Sequence, residues 1–184
     1  MKNLIYLILI IYTTGSAQDK YFTKTGTVEF EASVSSFEEV MAKTNAVSAI
    51  LNTENGEFAA LVLVKGFRFK NALMEEHFNE NYAESDQYPK ATFRGEIQNF
   101  SIEDLEVTKN KFTINGTLNF HGITKTIEAL NLYITLDKDI ITISGHFLAD
   151  ASDFNIKVPK IVRNKIAENI KVSIVFELKK KTYN

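Results

Sequence analysis

From Lys111 to Phe120 the chain alternates without a slip. Phe112, Ile114, Gly116, Leu118 and Phe120 fall on one face, and Lys111, Thr113, Asn115, Thr117 and Asn119 on the other. Strand side chains point to opposite faces with a period of two, so this pattern predicts a strand with one dry and one wet side. His121-Gly122 breaks the run, and Thr124 to Leu136 reads as the return strand of a long antiparallel hairpin. The same period recurs along the chain. Val28, Phe30 and Ala32 alternate with Glu29 and Glu31, and Ala91, Phe93, Gly95 and Ile97 alternate with Thr92, Arg94 and Glu96. Ile141, Ile143, Gly145, Phe147 and Ala149 share a face, and Ile170, Val172, Ile174, Phe176 and Leu178 oppose Lys171, Ser173, Glu177 and Lys179.

Between these strands the pattern predicts connectors. Residues 19–27 are polar and read as a lead into the first strand. Ser35 to Met41 offers a serine cap, early acids and an apolar run, which suits one or two helical turns. Ala46–Asn52 and Phe58–Phe69 bracket Glu54-Asn55-Gly56, a strong hairpin signal because both central positions of the tight turn need positive φ. The second of these runs is apolar on both faces, as in a strand covered on both sides. From Asn71 to Tyr82, Leu73, Met74, His77, Phe78 and Tyr82 recur at spacings of three and four, with Glu75, Glu76, Asn79 and Glu80 facing away, which predicts an amphipathic helix. Pro89 ends it by disfavouring helix at Tyr88. Residues 101–110 read as an acidic strand, and 152–168 as a mixed stretch around Pro159.

About eight strands with mostly short turns and one inserted helix predict an all-β dominated, eight-stranded antiparallel barrel, whose closure removes exposed sheet edges. Such a barrel is just wide enough to be filled by side chains or to hold one small ligand. Gly116, Gly145, Ala32 and Ala149 on the dry faces are compatible with either: space for a ligand, or room for neighbouring aromatics.

Composition narrows the picture. The chain has 184 residues, 45% hydrophobic and 24% charged, which suits one globular domain. Net charge is −2 and the basic residues are scattered, so no patch or stripe points to nucleic acid. Lys2, the apolar stretch Leu4–Tyr12 and the small residues Gly15-Ser16-Ala17 form the pattern of a secretory signal peptide over residues 1–17, leaving one domain over 18–184. The expected location is periplasmic or secreted. There is no cysteine, so disulfides, thiol catalysis and an N-terminal lipid-anchoring cysteine are excluded, and no later segment has the ~18 consecutive apolar residues of a membrane helix.

Candidate chemistry is sparse. His77, His121 and His146 show no metal-ligand spacing, so neither a metal nor another cofactor is expected. His77 reads as a packed or capping helix residue, His121 as a turn residue held by local hydrogen bonding, and His146 as exposed. The acid pairs Glu38-Glu39, Glu75-Glu76 and Glu103-Asp104 are neighbours on solvated faces and lack the contrasting environments that acid–base work requires. Arg68 shares the parity of Phe58, Ala60, Val62 and Val64, and is placed at the barrel rim.

Three segments together resemble a known family. The run INGTLNFHGITKTI is similar to the "G-x-L-t-x-h-G-x-T-k-x-v" signature of the YceI-like, polyisoprenoid-binding-like proteins, through Gly116, Leu118, His121, Gly122, Thr124 and Lys125. Upstream, His77, Phe78, Tyr88, Pro89, Thr92 and Phe93 match a "D-x-H-L…F-f…y-P-x-i-t-F" segment. Downstream, Asp153, Phe154 and Ile156 match "R-x-d-F-g-i". The arginines that precede the last two motifs, and the histidine of the family's N-terminal segment, have no counterpart here.

The resemblance implies a lipocalin-like barrel, exported, whose elongated apolar interior in some members holds a long isoprenoid or another amphiphile. It implies no catalytic residues, so the chain is read as a non-enzyme. The expected partner is a long-chain apolar or isoprenoid lipid, with no nucleic acid and no transmembrane anchor; a homodimer is compatible with this reading. The residues expected to line the ligand site are Phe93, Phe112, Ile114, Leu118, Phe120, Ile141, Ile143, Phe147, Ile174 and Phe176. The competing expectation is a barrel filled by its own side chains, serving as a protein-interaction or stress-response module. A third, an enzyme, would need His77 or His121 to meet a carboxylate in a pocket.

Overall fold

The computed structural model describes residues 20–181. The signal-like segment 1–17 lies outside the described residues. Along the chain come β1 (Lys20–Ser33), β2 (Met41–Asn52), β3 (Glu57–Leu63), the two-residue β4 (Arg68–Phe69), helix α1 (Ala72–His77), β5 (Lys90–Ile97), β6 (Asn110–Phe120), β7 (Ile123–Asp137), β8 (Ile140–Asp150) and β9 (Ile166–Lys180). All pairings are antiparallel. The order β1-β9-β8-β7-β6-β5-β3-β2 returns to β1, where Phe30 lies opposite Ala42, so eight long strands close into a barrel. The short β4 adds only to the edge of β2, through Phe69 beside Ala42.

The organising hairpin forms as its alternation predicts, with Phe120 opposite Ile123. His121 and Gly122 take φ of 49° and 73°, the two positive values that a tight two-residue turn requires. One feature departs from simple alternation. In β7, Ala129 has φ of 49° and the register slips between Ile114 and Gly116, a bulge stitched by the Ala129 amide donating to Asn115 Oδ1 at 2.7 Å. Beyond the bulge the buried parity changes, and Leu132 and Ile134 are the buried members.

Several connectors differ from expectation. The polar lead-in is already strand: Tyr21 and Thr23 are buried in β1, and Thr23 Oγ1 finds a donor in the Thr25 amide. Ser35–Met41 forms no helix, because the Ala32 amide bonds to Val40 O and the Val40 amide to Ser33 Oγ, drawing the segment into a hairpin connection. The apolar run 58–69 is not one strand. It breaks at a 3₁₀ turn, Val64–Gly66, leaving Leu63 exposed and carrying Phe67 and Phe69 towards Phe30. Residues 101–110 hold a single 3₁₀ turn, Ile102–Asp104, rather than a strand, and Leu105 is drawn into the core. Helix α1 ends at His77 and continues as a π turn, Phe78–Tyr82. Its start is capped by Asn71 Oδ1, which accepts from the Leu73 amide at 2.9 Å.

The core is concentrated in one half of the barrel. Leu51, Ile97, Ile134, Ile141, Ile143 and Leu178 are at most 1% exposed, and Leu105 packs with them. At the other end, Phe30, Phe67, Phe69 and Phe78 form a cluster with ring centres 5.2–5.9 Å apart, holding α1 against the barrel.

Candidate ligand cavity

The half of the barrel beneath α1 is hollow. A cavity of about 490 Å³ runs down from the loops to a floor made by Phe58, Ile114, Leu132 and Phe176. Its walls come from alternate residues of the long strands: Val28, Phe30 and Ala32 of β1, Ala60 and Val62 of β3, Ala91 and Phe93 of β5, Leu118 and Phe120 of β6, Phe147 and Ala149 of β8, and Val172 and Ile174 of β9. This volume lies within the ~300–1,000 Å³ of small-molecule sites.

The small inward residues divide by role. The glycines serve neighbouring side chains: a Cβ on Gly116 would stand 2.6 Å from the Phe93 ring, one on Gly26 2.5 Å from the Phe176 ring, and one on Gly145 2.9 Å from Leu132 Cδ2. The alanines Ala32, Ala60, Ala91 and Ala149 border the void instead. Both readings of small dry-face residues therefore hold, each at different positions.

Of the ten residues expected to line a site, Phe93, Ile114, Leu118, Phe120, Phe147, Ile174 and Phe176 border this cavity. The other three do not. Ile141 and Ile143 lie below the floor and are fully buried among core side chains, and Phe112 packs against Phe100 at 6.0 Å. Alternation places all ten on the inner face but cannot say at what depth the interior stops being solid. The sequence reading also missed the roof: Phe37 and Val40 before β2, and Ile156, Val158 and Val162 in the loop between β8 and β9. Phe37 and Val40 lie in the segment read as helical turns and Ile156 in a motif, but neither segment has the strand period that would say which way these side chains point.

Polar groups are few and gather at the mouth. Glu38, His77 and Lys165 are exposed there. Asp150, at the end of β8, occupies the cap position of a 3₁₀ turn (Ala151–Phe154) without capping it, and its Oδ1 is buried with no hydrogen-bond partner among the described residues. Arg68 sits on the surface, as the rim reading holds, donating to Glu75 Oε1 at 3.0 Å. Glu75 does not face away. Its other oxygen accepts from the Phe69 amide, tying α1 to β4.

His121 does meet a carboxylate, though outside the cavity. Its ring nitrogens lie 2.9 Å from the Phe154 carbonyl oxygen and 2.7 Å from Glu84 Oε2, and its ring centre is 4.5 Å from that of Tyr88. These are long-range bonds rather than the local ones expected of a turn histidine. With Lys125 Nζ 2.6 Å from Asp153 Oδ1 and Phe120 packed edge-on to Phe154, the hairpin tip clasps the 84–88 and 151–154 turns. The three sequence motifs thus converge on one structural junction. Among the described residues no three His, Asp or Glu side chains gather as a metal site, and no helix is long and apolar enough to cross a membrane.

A closed barrel, a hollow half and this motif-bearing clasp agree with a match of the YceI-like domain over residues 20–178. The chain belongs to the YceI-like family. Among solved structures it is similar to a polyisoprenoid binding domain from Saccharophagus degradans implicated in plant cell wall breakdown, at a TM-score of 0.76 and 16% identity, over 88% of this chain and 98% of that one. It is also similar to Burkholderia cenocepacia BcnA, at a TM-score of 0.68 and 15% identity, over 83% and 95% of the two chains. For the Campylobacter jejuni YceI protein the values are 0.59 and 16%, over 80% and 88%. At these identities the likeness is one of fold. No curated protein sequence matches significantly.

Proposed function

We propose that this YceI-like barrel is an exported, non-enzymatic binding protein that carries one long-chain, isoprenoid-type lipid in its hollow half. The observation that carries the reading is the cavity of about 490 Å³, walled by aliphatic and aromatic side chains and floored by Phe58, Ile114, Leu132 and Phe176. An apolar tail entering it would gain roughly 0.8 kcal/mol per buried CH₂. The exposed polar groups at the mouth, with the unpartnered Asp150 Oδ1 beside them, set the orientation, and a ligand hydroxyl would find its acceptor in Asp150. The polyisoprenoid-binding relative of Saccharophagus degradans supports this ligand class, and the secretory pattern of residues 1–17 supports export. A barrel filled throughout by its own side chains does not describe this interior.

The test is purification from the native source followed by denaturing mass spectrometry. A long-chain amphiphile near one equivalent, on a chain beginning at or close to Gln18, is expected. Protein that carries no amphiphile and takes up no prenyl alcohol offered in solution would sink the proposal.

A further inference from the structure

The charge of this chain is scattered over the barrel walls but not in the loop between β8 and β9. Lys157, Lys160, Arg163 and Lys165 fall within nine residues, and no acid stands between Phe154 and Glu168. All four are exposed, and none belongs to an ion pair among the described residues. In a chain of net charge −2, four unpaired cations on one loop make a local field that the overall balance conceals. The same loop carries Ile161, 83% exposed, the most exposed large apolar side chain described. Beside the loop stands Phe37, 41% exposed, its ring centre 5.9 Å from Lys165 Nζ.

The loop is also the cavity's own roof. Ile156, Val158, Val162 and Lys165 line the hollow, while Lys160, Ile161 and Arg163 between them point to solvent. We infer that this loop is a docking surface for an anionic lipid bilayer, with Ile161 seated at the headgroup boundary and the cations on the lipid phosphates. Apolar side chains interspersed with Lys and Arg are the combination that interfacial segments use, since burial and headgroup attraction add. Glu38 and Glu39 follow Phe37 and are exposed, so they offset part of this field on the Lys165 side of the loop. A barrel docked in this way presents its opening to the membrane, so an insoluble tail can pass between bilayer and cavity with little exposure to water.

The experiment uses the chain from Gln18 onward, which holds every described strand and omits the apolar N-terminal segment. Sedimentation is measured with vesicles of phosphatidylcholine alone and with about a third phosphatidylglycerol. The expected result is binding to the anionic vesicles only, weakened as salt rises from roughly 0.05 to 0.5 M because the screening length shrinks. Lys160→Gln with Arg163→Gln should lower that binding by roughly 25-fold, at about fivefold per cation. Ile161→Ser should weaken it as well. None of these three residues lines the cavity, so uptake of a fluorescent prenyl alcohol from solution should be unchanged in both variants. Equal binding of the charge variant and the parent overturns the inference. So does capture by an acidic polymer such as duplex DNA, at the same ionic strength, without vesicle binding. Vesicle binding and probe uptake are separate readouts, so loss of one leaves the docking surface and the carrier reading distinguishable.

Discussion

Phe176 decides where the cavity ends. It is 2% exposed, touches Phe58 with ring centres 5.6 Å apart, and is the last residue of β9 to border the void; Leu178, two residues on, belongs to the solid half. Phe176→Ala therefore does two things at once. Truncation of a buried Phe costs about 3–5 kcal/mol where the site cannot collapse. The ring packs beside Gly26, which pairs with Val47 of β2 where the register of β1 with β9 is interrupted. The void left behind is of the order of the ~150 Å³ engineered cavities that stay dry and accept a benzene-sized guest. It opens onto the existing hollow and would deepen it by space for about three methylenes.

The affinity change follows from the same geometry. At about 0.8 kcal/mol per CH₂, three further methylenes are worth about 2.4 kcal/mol, close to sixtyfold. The assay is a displacement titration across prenyl and straight-chain alcohols of increasing length. In the parent protein affinity should climb with length and then level off; in the variant the plateau should move out by about three carbons, while the urea midpoint falls. If the variant loses its stability but the plateau stays where it was, the tail does not reach the floor and the proposed pose is wrong. A stability loss below about 1 kcal/mol would instead mean that Phe176 is not the packed floor described here.

Three further outcomes are expected. Gly116→Ala places a Cβ 2.4 Å from Arg94 O and 2.8 Å from Gly95 Cα, backbone atoms that cannot step aside, so it should cost about 3 kcal/mol, the upper end of overpacking, by chemical denaturation. A cost under 1 kcal/mol would show that β5 and β6 are free to separate there. Leu118→Asp puts a carboxylate in the apolar wall, and prenyl alcohol uptake should fall by roughly two orders of magnitude with the circular dichroism spectrum unchanged; undiminished uptake would place the ligand elsewhere. His121→Phe keeps the ring but removes both bonds to the flanking turns, for a loss of about 2 kcal/mol and faster proteolysis within 151–158; a melting temperature equal to the parent's would make the clasp dispensable.

The long strands were legible because each is dry on one face only, which fixes register and orientation together. What escaped the sequence has identifiable physical causes. Thr23 looked like part of a polar leader, yet it is buried in the strand with the Thr25 amide donating to its hydroxyl oxygen. Residues 35–41 carry genuine helix-start chemistry, but the bonds of Val40 to the Ala32 amide and to Ser33 Oγ override it. The bulge at Ala129 carries no glycine to announce it, only a side-chain acceptor at Asn115 on the neighbouring strand. For the site, alternation says which way a residue points and nothing about what meets it. That is why Ile143 and Ile174, alike in pattern, divide between solid core and cavity wall.

That division is set by what seals each end of the barrel. At the closed end, Leu105, buried at 8% exposure, follows a single 3₁₀ turn into the core that holds Ile97, Ile134 and Leu178. At the open end the cover is shared by α1, through Met74 and His77, and the loop between β8 and β9, and the space beneath them stays open. Phe78, in the π turn after α1, packs against Phe30, Phe67 and Phe69, and all four border the cavity. Side chains that border the void forgo dispersion contacts on one side, and the solid half has to supply the stability that the hollow half lacks. A ligand that restores those contacts binds the folded state alone, so it raises stability by an amount set by its concentration relative to Kd. The walls of the open half can therefore be reshaped for one tail or another without disturbing the core that keeps the barrel closed.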